Sequence, residues 1–356
     1  MRKIFFTVGP TERHPKLDAF IRDALRCNIV SISHRGEEFS EIYRHAVESL
    51  RKLLGVPKNF HVFFLGSATE AMERIIENSV ERRSVHFVNG AFSKRFYVTA
   101  VELRKKAMKI EAARGASFDF SKTTIPRDAE LIALTHNETA TGVSLSMSDV
   151  YALRKKHPNV LIALDIVSSA PYVRVDYRYV DCAFFSVQKG FGLPSGLGVL
   201  FVNERCIEKA NVLSRKKVNI GSFHNYPSLL ASEAKLQTPE TPNVLGMYLL
   251  GRVADDYLAT GIERIRKETE QKAKLLYDFF DSHPDFASFV KDRTARSSTV
   301  IVAEAKRGAR APLALLARNG IIAGPGYGEF AGRHIRIGNF PMHRLSDMKR
   351  IIRVLS

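Results

Sequence analysis

Between residue 60 and about residue 200, short apolar runs alternate with amphipathic stretches. The runs are His61-Val62-Phe63-Phe64-Leu65, Val85-His86-Phe87-Val88, Leu131-Ile132-Ala133-Leu134 and Val160-Leu161-Ile162-Ala163-Leu164. Asp181-Cys182-Ala183-Phe184-Phe185 and Leu197-Gly198-Val199-Leu200-Phe201-Val202 follow. Apolar residues fill successive rather than alternate positions, the pattern of strands covered on both faces. Helical spacing occupies the intervals 68–81, 93–106 and 148–157. Strand-helix alternation predicts an α/β layer fold around a mainly parallel sheet.

The last third of the chain has a different pattern. Residues 244–283 read as long helices with few breakers, and 297–356 mix short strands at 299–303 and 334–338 with helices. This is an α+β pattern, and 356 residues suit two to three domains. The expected division is an N-terminal arm over 1–16, a large domain over 17–243 and a smaller C-terminal domain over 244–356. The Pro-rich segment Thr238-Pro239-Glu240-Thr241-Pro242 closes the large domain in this reading.

Composition narrows the function classes. Hydrophobic residues make up 45% and charged residues 26%, which excludes a disordered or fibrous chain. No apolar run reaches the roughly 18 residues of a membrane helix. The opening apolar stretch is too short for a secretory signal, so no membrane association is expected. Three cysteines, Cys27, Cys182 and Cys206, form no CxxC pair, and the expected compartment is a reducing cytoplasm. A formal charge of +17 favours anionic partners. The basic residues are spread along the chain without interleaved aromatics, so anionic metabolites are expected rather than a specific nucleic acid.

In parallel α/β sheets, ligands sit beyond the carboxyl ends of the strands. After Leu65 comes Gly66-Ser67-Ala68-Thr69, where small residues open a helix whose free N–H groups can cradle an anion. An ordinary helix cap is the alternative for this turn. After Leu164 comes Asp165, an acid that is expensive to bury unpaired; it too could be only a cap. After Phe185 come Gln188-Lys189-Gly190 and a Gly-rich turn. A lone lysine is normally a solvated charge, but this one and Asp165 are one strand-to-strand step apart and emerge at the same sheet edge. An anion cradle, a buried acid and a lysine in one crevice suit pyridoxal 5'-phosphate: a lysine for the Schiff base, a carboxylate for the pyridine nitrogen and a helix start for the phosphate.

Several segments, in order, resemble the class V aminotransferases of the type I PLP-dependent transferase fold, and most closely the phosphoserine aminotransferases. They are Phe6-Thr7-Val8-Gly9-Pro10-Thr11, Ile32-Ser33-His34-Arg35-Gly36-Glu37-Glu38-Phe39, Asn137-Glu138-Thr139-Ala140-Thr141-Gly142, Gln188-Lys189 and Leu236-Gln237-Thr238-Pro239. The resemblance implies a large domain with a mainly parallel seven-stranded sheet and a homodimer with shared active sites. It makes Lys189 the Schiff-base lysine and Asp165 the acid at the pyridine nitrogen. Ser67, Ala68, Thr69 and Gln188 fall on the phosphate site, Phe92 on the ring-stacking position and Thr139 near the phenolic oxygen. Thr238 matches a threonine that reaches the phosphate of the neighbouring subunit. Gln237 stands where the phosphoserine enzymes carry Asn.

For the substrate, His34 and Arg35 match a phosphate-recognising pair contributed across the interface. Arg336 matches the class V arginine for the substrate carboxylate, an anion that the Arg fork fits. The phosphoserine enzymes place their arginine where this chain has His334, which strand alternation puts on the same face as Arg336. The implied reaction is a ping-pong transamination between O-phosphoserine and 2-oxoglutarate. Alternatives are an alanine– or serine–glyoxylate aminotransferase and, outside enzymes, a non-catalytic anion-binding protein on the same scaffold.

Overall fold

In the computed structural model, which describes residues 3–356, seven strands form the central sheet. The first two positions of the expected N-terminal arm lie outside the described residues. Across the sheet the order is Phe60–Leu65, Gly198–Asn203, Cys182–Ser186, Leu161–Asp165, Leu131–Thr135, Arg83–Val88 and Lys106–Glu111. Gly198–Asn203 runs antiparallel to both of its neighbours, and the other pairings are parallel. This is the mainly parallel sheet expected from the unbroken apolar runs. The edge strand Lys106–Glu111 has no such run, and its residues are half-buried or exposed.

Successive strand residues feed two separate cores. Val62, Phe64, Ile132, Leu134, Ile162, Leu164, Ala183 and Phe185 enter one apolar cluster. Phe63, Leu65, Leu131, Ala133, Leu161, Ala163, Cys182 and Phe184 enter the other. Helices Ala68–Ser79 and Ala91–Glu102 cover the second face with Met72, Ile75, Ile76, Phe96 and Ala100. Helices Glu37–Leu54 and Met147–Lys156 cover the first. Burying each of the Val, Leu, Ile, Phe and Met side chains contributes on the order of 1.5–3 kcal/mol, so the period-2 split holds the layers together.

A second sheet has the order Ile4–Phe6, Ile321–Pro325, His334–Gly338, Val300–Ala305 and Phe286–Ser288. Its edge strand thus comes from the N-terminal arm, with Phe6 fully buried in the small core. Helix Val244–Thr260 sends Met247, Leu249, Leu250, Val253 and Ala254 into the large-domain core, whereas helix Ile262–Ser282 sends Ala273, Leu276 and Phe280 into the small one. By packing, the chain changes core near Gly261. Gly261 separates the two helices with φ +88°, a conformation that a side chain would strain. Among the described residues, no helix is long and apolar enough to cross a membrane.

Candidate active site

The carboxyl ends of five strands converge on one cavity of about 230 Å3. It is lined by Ser67, Ala68 and Thr69 after Phe60–Leu65, Phe92 after Arg83–Val88, Thr139 after Leu131–Thr135, Asp165 at the end of Leu161–Asp165, and Gln188 and Lys189 after Cys182–Ser186. Val8 and Gly9 of the arm, with Tyr327 and Arg336 of the small domain, complete the wall. Sheet order explains the meeting: Leu161–Asp165 is hydrogen-bonded to both Leu131–Thr135 and Cys182–Ser186.

Lys189 is 5% exposed and Asp165 3% exposed. Lys189 Nζ donates to Thr139 Oγ1 at 2.9 Å and lies 4.9 Å from the centre of the Phe92 ring. Burial pulls the Lys189 pKa down to about 8, against the pull of Asp165 and Glu138 in the other direction. Burial pushes Asp165 up to about 7, although Val167 N–H donates to its Oδ1 at 2.8 Å and Lys189 favours its charge. A Cβ at Gly9 would stand 2.6 Å from Lys189 Cε, and its φ is +128°, so the arm approaches the lysine only because this residue is glycine.

The turn after Phe60–Leu65 opens a capped helix. Ser67 caps helix Ala68–Ser79 by accepting from Glu70 N–H at 3.1 Å, which leaves the Ala68 and Thr69 N–H groups as first-turn donors. Gly198 on the antiparallel strand makes room, since a Cβ there would lie 2.6 Å from the Ser67 carbonyl carbon. Gln188 Oε1 is buried with no hydrogen-bond partner.

Arg336 reaches the cavity from its strand, donating from Nε to Pro325 O at 2.7 Å and from Nη1 to Thr139 O at 3.3 Å. Its guanidinium lies 5.5 Å from the Tyr327 ring centre. His334 occupies a different environment from the one strand alternation implied. It does not line the cavity; its ring is held between Phe289, at 4.2 Å, and Phe330, stacked at 4.4 Å. Two flanking aromatics close over it, so the shared strand face does not become a shared site.

His34, Arg35 and Thr238 also do not line the cavity. They gather in a separate cluster, where Arg35 Nη1 donates to Gln237 Oε1 and Thr238 O, both at 2.9 Å, and Nη2 to Pro239 O at 3.1 Å. His34 sits edge-on to Phe39 at 6.4 Å. The three residues that the resemblance assigns to a neighbouring subunit thus fall together outside this chain's own cavity.

Two residues near the centre had no role in the sequence reading. Glu138 is fully buried and accepts from Ser93 N–H at 2.9 Å and Phe92 N–H at 3.1 Å, which orients the helix start that carries Phe92. A Cβ at Gly90 would lie 2.1 Å from Glu138 Cγ, so glycine is required opposite it. Its neighbours from Thr135 to Gly142 are mostly polar or small, so composition did not single it out. Tyr327, in the segment Gly324-Pro325-Gly326-Tyr327-Gly328, packs 5.8 Å from Phe92 and walls the cavity.

The family model for class V aminotransferases matches residues 16–354. A solved phosphoserine aminotransferase from Cytophaga hutchinsonii is 45% identical, with a TM-score of 0.97 over 99% of this chain and 98% of that one. The phosphoserine aminotransferase of Corynebacterium glutamicum is 25% identical across 97% of this chain and 92% of its own length. An uncharacterized aminotransferase of Methanocaldococcus jannaschii is 28% identical across 95% and 88%. The solved alanine–glyoxylate aminotransferase of Nostoc, at 21% identity and a TM-score of 0.83, shares the fold. Since the match runs almost end to end over a chain with the type I sheet and a buried lysine at its edge, this protein belongs to the class V aminotransferases, a family of pyridoxal phosphate-dependent enzymes.

Proposed function

We propose that the cavity holds pyridoxal 5'-phosphate and that the enzyme moves the amino group of O-phosphoserine to 2-oxoglutarate, giving 3-phosphohydroxypyruvate and glutamate, a step of serine biosynthesis. The observation that carries the substrate assignment is the 45% identity, along nearly the whole chain, to a protein named phosphoserine aminotransferase. The residues present fit the cofactor. Gln188 Oε1 is buried without a partner, the Ala68 and Thr69 N–H groups open a helix, and a desolvated amine faces a desolvated carboxyl. When bound, the cofactor would supply an aldehyde for the lysine and a ring that accepts the charge left by removal of a proton.

The chain's own residues then have separate tasks. Asp165 holds a proton on the pyridine nitrogen. Ser67, Ala68, Thr69 and Gln188 bind the phosphate, and Phe92 offers its ring face. Thr139 orients Lys189 Nζ through their 2.9 Å hydrogen bond. Lys189 Nζ would take the proton from the donor's Cα and return it in the next stage. Burial lowers the Lys189 pKa and brings the neutral amine, the form that can attack or accept a proton, within reach of neutral pH. Arg336 binds the α-carboxylate. In a homodimer, His34 and Arg35 of one copy would meet the substrate phosphate in the other, and Thr238 the cofactor phosphate. The three free cysteines support a cytoplasmic setting.

A second reading, an alanine– or serine–glyoxylate aminotransferase, draws on one observation: the cavity's small-domain cation is Arg336, while His334 is enclosed by phenylalanines. Half-reactions separate the two. Phosphoserine and glutamate are expected to bleach the lysine-bound cofactor band, at roughly 410–430 nm, faster than alanine or serine. The reverse order selects the glyoxylate reading.

A further inference from the structure

Next to the turn at Ser67, but outside the cavity, lies a buried histidine between two carboxylates. His224 has a side chain 5% exposed. Its Nδ1 is paired with Glu70 Oε1, and its Nε2 stands 2.6 Å from Glu240 Oε2. Burial opposes charge on the ring, but the two carboxylates outweigh it and raise the pKa to about 9, so the ring is an imidazolium at neutral pH. It is anchored from behind: Asn225 caps the next helix, whose Tyr226 is fully buried.

Both carboxylates belong to segments that the function needs. Glu70 is in the first turn of helix Ala68–Ser79, where Ser67 Oγ accepts from its N–H and its Oε2 accepts from Gly66 N–H at 2.8 Å. This is a capping box moved back by one residue, and it fixes the turn on both sides of Ser67. It also puts a negative charge one turn from the proposed phosphate site, where an anion would repel a second anion. Glu240 lies just beyond Thr238, whose Oγ1 donates to Glu240 O at 2.7 Å, and Arg35 holds the same segment through the Thr238 and Pro239 carbonyls.

We propose that His224 is a positioning residue for the cofactor phosphate: it offsets the charge of Glu70, keeps that carboxylate turned onto Gly66, and docks the segment around Thr238 against the same turn. This rests on the reading that the cavity binds pyridoxal phosphate. The test compares two aldehydes that differ only in the phosphate. Full-length protein stripped of cofactor is titrated with pyridoxal 5'-phosphate and, separately, with pyridoxal, followed by absorbance. In His224→Gln, affinity for the phosphorylated aldehyde is expected to fall about tenfold or more while that for pyridoxal stays near wild type. Adding Glu70→Gln, which removes the uncompensated anion but keeps an acceptor for Gly66 N–H, is expected to restore most of the loss. Equal losses for both aldehydes, or no change in their ratio, would overturn the proposal.

A measurement on the wild type needs no variant. The groups facing His224 are Glu70 and Glu240, with Arg74 close to Glu70. As pH rises through about 9, His224 loses its charge and the affinity ratio of the two aldehydes is expected to fall; Lys189 titrates in both arms and cancels. A ratio that stays flat across that range also overturns the proposal. A wild type that takes up neither aldehyde refutes the cofactor reading itself, a separate and recognisable failure.

Discussion

The cavity around Lys189 and the cluster around Arg35 differ in how much water they have lost and in how fully their charges are met. Lys189, Asp165 and Thr139 are each 5% exposed or less, and among the described residues the hydrogen-bond partner of Lys189 Nζ is a hydroxyl. Arg35 remains exposed, yet its guanidinium already holds three acceptors of its own chain. Desolvation without full pairing shifts pKa values toward neutrality and leaves groups ready to bind or exchange a proton. Full pairing at the surface fixes shape instead. The first region therefore keeps groups available for proton exchange, and the second holds residues 237–239 in place.

The largest effect expected from breaking this contrast is at Lys189. Lys189→Ala should remove the visible cofactor band and lower the half-reaction rate by about 10⁴-fold or more. A variant that keeps the band would move the attachment point elsewhere. A smaller effect separates the two arginines. Arg336→Ala should weaken every amino donor by about 100-fold, since the α-carboxylate is common to all. Arg35→Ala should weaken phosphoserine by about tenfold more than alanine or serine. Equal losses across donors at Arg35 would leave it only the role of holding residues 237–239.

The smallest effect is on the pH dependence of stability without cofactor. Asp165, raised to about 7 from 3.8 by burial, keeps its proton where the unfolded chain has lost it, so stability falls as pH rises from about 4 to about 7. Lys189, lowered to about 8 from 10.5 by burial, has lost its proton where the unfolded chain keeps it, so stability rises from about pH 8 to about 10.5. The pair should therefore place a minimum in the thermal midpoint between about pH 7 and 8. Asp165→Asn combined with Lys189→Met should flatten it; an unchanged dip would trace it to other groups.

Six of the seven central strands, the edge strand Phe60–Leu65 among them, were legible because both faces are covered and most of their positions are apolar. The opposite edge strand, Lys106–Glu111, was not, because its residues are half-buried or exposed and charged side chains are tolerated there. Helix Val244–Thr260 could be read as a helix but not assigned to a core; its apolar residues say that it is covered, not by what. His334 and Arg336 are two residues apart on one strand, and alternation places them on one face. Only Phe289 and Phe330, brought in from other segments, decide that the histidine is enclosed while the arginine reaches the cavity. Glu138 escaped notice for a similar reason, since its place depends on the missing side chain of Gly90, 48 positions earlier.

By itself the amino-acid order determined six of the central strands, several of the helices between them and which residues stand at those strand ends, because periodicity and capping act over a few neighbouring residues. It also supplied the chemistry of Lys189, Asp165 and the turn at Ser67. Only the folded chain decided which of those ends share a cavity, which cations stay unpaired, and that a histidine 154 positions after Glu70 would close on its carboxylate. Such pairings depend on sheet order and on which faces pack together, and those are settled by burying apolar surface across the whole molecule rather than by any local stretch.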